Sequence, residues 1–208
     1  MSMTRDDLAE DLAYVRTLAE EGRNAPLIGG RYLVLFGALL TIAYGMHWAL
    51  IAGAFGPTHW TWILGNWSGF AICAGIGSLM VGRRVRALPG RAAVVNRVDG
   101  AVWRGAALAI VAVVVGSVAH DAINDRGVAQ NAIMAVGFAV YGVALGATAV
   151  IAQQAWLRWF SWLSFVASAV LWTFLNEPWA YLVAAAASVA VLLAPGLVMM
   201  RGEPSRVV

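Results

Sequence analysis

The chain has no lysine: all fourteen of its basic residues are arginine. With abundant Ala, Gly and Val, that bias points to a GC-rich bacterial genome. Cysteine is nearly absent too, since Cys73 stands alone and no disulfide can close within the chain. Charge of either sign is thin, at 12% of residues. Apolar residues reach 61%, whereas a soluble domain carries about 45–50%. Too few polar side chains remain to cover a globular core with a water-facing surface.

Charge is missing altogether from the middles of six apolar segments, 31–54, 60–82, 101–119, 131–152, 156–175 and 178–200. Each is long enough to cross a hydrocarbon core of about 30 Å at about 1.5 Å per helical residue. Between 132 and 175 the apolar character hardly breaks. A single helix of that length would run to about 66 Å, more than any bilayer accommodates. Gln153 and Gln154 must therefore mark a tight turn, with Trp156 and Trp159 at headgroup level beside it.

The arginines orient these segments. Thirteen of the fourteen fall on one side of the alternating series; only Arg126 falls on the other. Arg83, Arg84, Arg86, Arg91 and Arg97 crowd the connection after the second segment, and the connection 55–59 has none. The positive-inside bias then places both termini in the cytoplasm of a bacterium, with the chain in its inner membrane. The expected fold is all-α: a six-helix transmembrane bundle over 30–200, a short amphipathic cytoplasmic leader over 1–29, and a tail over 201–208.

Other absences bear on function. Ion-coupled carriers usually hold charged side chains at mid-membrane, where they are costly and therefore functional. Here the mid-span polar groups are neutral, among them Thr41, Tyr141, Thr148, Ser164, Ser168 and Ser188. Hydroxyls of this kind can return a hydrogen bond to the preceding turn of their own helix. No Ser–His–Asp set, carboxylate pair or HExxH motif lies on a shared face, so no enzyme is expected. The excess of arginine reflects topology and anionic lipid, with no nucleic-acid partner.

What is present falls into three patterns. Small residues recur every four positions: Gly65, Gly69, Cys73 and Gly77 in the second segment, Gly45 in the first, Gly142 and Gly146 in the fourth. Such faces let helix backbones approach closely, either inside the bundle or between copies in a homo-oligomer. His47, His59 and His120 all map to the outer side, with Asp121, Asp125 and Glu177. Imidazoles and carboxylates bind transition metals, and imidazole ligates haem, although no pair here has the i,i+3 or i,i+4 spacing of two ligands on one helix face. Most such residues are ordinary interfacial side chains, and no cofactor is the leading expectation.

The third pattern is the leader. Thr4 can cap a helix whose first turn holds Asp6 and Asp7. Leu8, Leu12 and Val15 then form one apolar stripe. Six acids against three arginines leave it at −3, opposite an 83–99 loop at +4. The stripe is expected to pack on the protein's own inner surface or to dock a cytoplasmic partner. The sequence thus favours a non-catalytic membrane protein acting through assembly or regulation with a partner. A small oligomeric transporter or channel for a neutral or apolar solute is the first alternative. An outer-face metal- or haem-binding protein using His47 and His120 is the second.

Overall fold

Uncharged runs of Leu, Ala, Val and Ile can satisfy their backbone groups in hydrocarbon only by pairing them internally, which an α-helix does. A computed structural model describes residues 26–88, 90–124 and 129–203, and all its regular elements there are helical. The leader, with Leu8, Leu12 and Val15, lies outside the described residues, as do Asp125 and Arg126.

The helices are α1 (Gly30–Ile51), α2 (Trp60–Arg86), α3 (Val94–Asn124), α4 (Ala129–Ile151), α5 (Leu157–Thr173) and α6 (Ala180–Arg201). All but α5 are long and apolar enough to cross a membrane; α5 has 17 residues. The turn between α4 and α5 falls at 152–156, with Gln153 in the left-handed region at φ 54°. Helix α3 begins at Val94, seven residues earlier than hydropathy suggests. Residues first assigned to the Arg-rich loop therefore belong to a helix. Pro195 removes one backbone donor from the last helix, and Val189–Leu193 form a wider, π-helical turn just before it.

Packing order in space is α2, α1, α6, α5, α4, α3. Among the described residues α2 packs mainly on α1, and α3 mainly on α4, so these two form the ends of the row. At its centre α1 and α6 meet backbone to backbone. A Cβ on Gly37 would lie 2.6 Å from the Leu193 amide nitrogen, and one on Gly196 would lie 2.8 Å from that of Val34. Only glycine fits at either place.

The α4–α5 pair is held differently. Ser161, Ser164 and Ser168 lie on one face of α5 and donate to the carbonyls of Gly142, Phe138 and Ala135 on α4, at 2.7, 2.6 and 2.7 Å. These hydroxyls cross to the neighbouring helix, where Ser188 and Thr41 bond their own preceding turns as expected. Gly142 and Gly146 give Phe165 and Ser161 room: a Cβ at either would meet them at 2.8 and 3.0 Å. On α2, Gly77 closes on Leu35 of α1, at 2.7 Å. Gly45, Gly65 and Gly69 differ, since a Cβ at any of them meets nothing within 4 Å. At these three positions no described residue packs closely.

Candidate functional site

Two clusters of polar side chains sit inside this frame, one near each end. The first is built around His47, whose position on α1 turns it towards α2 and α6, leaving it 8% exposed. Trp67 of α2 donates its indole N–H to His47 Nδ1 at 2.9 Å. An indole nitrogen only donates, so Nδ1 carries no proton, and the neutral ring holds its hydrogen on Nε2. Tyr181 of α6 stacks on the imidazole at 3.9 Å between centroids and 14° between planes. Tyr44, one turn back on α1, meets Trp67 edge-on at 5.3 Å. A second bond, from Asn66 Nδ2 to the Ala43 carbonyl at 3.0 Å, fixes α2 in the same place.

Beside His47 opens a pocket of about 200 Å³, lined also by Ile51, Asn131, Asn176, Glu177 and Tyr181. The Tyr181 hydroxyl donates to Asn131 Oδ1 at 2.9 Å, and Asn131 Nδ2 donates to Asn176 Oδ1 at 3.2 Å. The pocket thus draws on α1, α4, α6 and the α5–α6 turn.

The second cluster centres on Asp99, a residue that hydropathy places in the Arg-rich loop. In α3 it is 5% exposed. Thr148 of α4 donates its hydroxyl to Asp99 Oδ1 at 2.5 Å and accepts the Trp103 indole N–H at 3.1 Å. Asp99 and Trp103 are four residues apart and so share a helix face. Tyr141 lies next to Trp103, with centroids 6.5 Å apart.

At the end of the bundle where α1 begins, Asn96 holds the start of that helix. Its Nδ2 donates to the Pro26 carbonyl at 3.0 Å, and its Oδ1 accepts the Ile28 amide at 3.3 Å. Arg31 donates to Glu203 at 2.7 Å, joining the start of α1 to the end of α6. Arg83, Arg84, Arg86, Arg91 and Arg97 are all exposed around this point.

The remaining histidines stand apart from His47 in their partners. His59 precedes α2 and is exposed. His120, also exposed, pairs with Asn124 on its own helix, and the Asp121 carboxylate accepts the Gln130 amide at 3.2 Å. Among the described residues no three His, Cys, Asp or Glu side chains gather into a metal-binding group. Sequence reasoning missed Asp99, Trp67, Trp103 and Tyr181. The four-residue spacing of Val95, Asp99 and Trp103 was the available signal, since it continues a buried face into the supposed loop. No protein-family model, curated protein or solved structure matches this chain.

Proposed function

We propose that this chain is a six-span bacterial inner-membrane protein with both termini in the cytoplasm, non-catalytic, and acting through a partner bound at its inner face. The reading rests chiefly on Asn96. By holding Pro26 and Ile28, it fixes the point at which the chain enters α1, beside five exposed arginines. A load on Pro26 is thereby passed to the bases of α1 and α3. Helix α5 serves as the fifth span despite being only about 25 Å long. Trp156 and Trp172 near its ends suit the interface, and local thinning of the bilayer covers the mismatch.

Photo-crosslinkers at Leu8, Leu12 and Val15, in cells, test the reading. Adducts to a second protein are expected. Adducts confined to the chain's own 83–97 loop would overturn it, leaving the leader as an internal brace. Reporter fusions test the orientation: after Gly90 they should read cytoplasmic, and after Gly127 periplasmic. Deleting residues 1–22 should leave insertion intact, because the spans and their arginines decide it.

A second reading, the small transporter for a neutral solute, is favoured by the burial of Asp99. A buried carboxylate in a membrane helix is costly to keep without a role. Proteoliposomes shrinking in a glycerol or urea gradient no differently from protein-free liposomes would remove it.

A further inference from the structure

The outer pocket holds a donor that no described residue uses. Trp67 occupies His47 Nδ1, which leaves the hydrogen on Nε2, and among the described residues Nε2 has no partner although His47 is only 8% exposed and lines the pocket. Tyr181, Asn131 and Asn176 are linked by two hydrogen bonds along the pocket wall, while the Asn176 amide N–H groups make no bond among the described residues. At the rim Glu177 is exposed, and its carboxylate makes no hydrogen bond or ion pair among the described residues. The site therefore offers N–H donors on His47 and Asn176 and one negative charge on Glu177.

We propose that this pocket binds a small ammonium compound, with the charged nitrogen on Glu177 and an oxygen of the same molecule accepting from His47 Nε2. A metal ion fits poorly, because the imidazole nitrogen that faces the pocket carries a hydrogen and has no lone pair to give. A simple anion is disfavoured by the carboxylate. An amino alcohol or its phosphate ester meets both groups at once.

The level of the pocket allows two sources. Trp172 and Trp179 flank the 175–178 turn that lines it, and both are exposed, at 59% and 40%, as side chains of a headgroup belt are. The ammonium group thus comes either from a dissolved solute or from an aminophospholipid headgroup.

The test is calorimetric titration of the whole protein in nanodiscs with ethanolamine and O-phosphoethanolamine. In phosphatidylglycerol discs, which contain no amine, saturable binding is expected. Glu177→Gln should weaken it about tenfold or more, as the loss of a charge-assisted bond implies, and Glu177→Asp should restore part of it. Glu177 is exposed, so these variants keep the fold. His47→Phe should abolish binding and retain the ring stacking on Tyr181. Weaker titration in phosphatidylethanolamine discs would assign the site to the lipid, and equal titration to a free solute. No saturable binding in amine-free discs, or Glu177→Gln binding as well as the parent, would overturn the proposal.

Discussion

Helices α4 and α2 are both long and apolar enough to cross a membrane, yet half of the apolar window of α4 is buried and only 6% of that of α2. The same gap separates α6, at 44%, from α3, at 6%. Of the central helices, α1 and α6 are joined by glycine contacts, and α5 and α4 by a serine ladder. The end helices pack on their neighbours, as Gly77 does on Leu35, and add bonds from aromatic and polar side chains. Helix α2 is pinned to α1 by Asn66 and Trp67, and α3 to α4 by Trp103 and Asp99 through Thr148. In hydrocarbon, apolar area gives little preference for a neighbouring helix over lipid, so a few directed bonds can decide where an outer helix stands. Both of the candidate clusters contain such a pin. Attachment of the end helices and the chemistry of the pockets therefore depend on the same side chains.

Gly37→Leu should break the central set outright. The new side chain would meet the α6 backbone, which cannot rotate away, and a cost of about 3 kcal/mol is expected. Detergent-purified protein should lose its sharp gel-filtration peak and melt at markedly lower temperature. A variant with unchanged melting would mean that α1 and α6 do not touch at this point.

Trp67→Phe should unpin α2 and leave the centre intact. It strands His47 Nδ1 without a donor, at about 1–2 kcal/mol. Hydrogen exchange should rise along α2 and stay unchanged in α4 and α5; a uniform rise would show that the end helices are not separable from the rest. Ser164→Ala should cost less, about 0.6 kcal/mol, the usual worth of a hydroxyl bond between membrane helices. Combining it with Ser161→Ala and Ser168→Ala sharpens the measurement, since three independent rungs should add.

The smallest effect is expected at Gly69→Leu. Its position on α2 has no neighbour within 4 Å, so the monomer should shift by no more than about 0.5 kcal/mol. The comparison gains from Gly146→Leu, which collides with Ser161 and should destabilise clearly. If Gly69→Leu lowers an oligomer's mass and spares the monomer's stability, the free face of α2 is where copies meet.

Much of the fold could be read from charge alone. Length, hydropathy and the Gln153–Gln154 pair located the helices to within a few residues, except at the start of α3 and the end of α2. There the arginines and Asp99 lowered the apparent hydropathy, and helix was mistaken for loop. The site was less legible. His47 stood out as the most deeply placed histidine, but its partners come from segments twenty and more than a hundred positions away. Pattern at helical spacing reports which face of one helix is special; it does not report which other helix comes to meet it. The same limit hid the serine ladder, because a hydroxyl that bonds its own helix and one that bonds a neighbour look alike in sequence.

The π turn in α6 has a geometric consequence of its own. It places one more residue in the helix than an α-helical path of the same length would use, and each residue turns the following faces by about 100°. Tyr181 lies before that extra residue, and Gly196 and Met199 lie after it. The two halves of α6 are thus dialled independently, the first half to set Tyr181 against His47 and the second half to bring Gly196 against α1. Removing Ala190 would turn the π segment back into plain α-helix and lock the dials together. One end of α6 would then have to give up its neighbour to let the other keep its own.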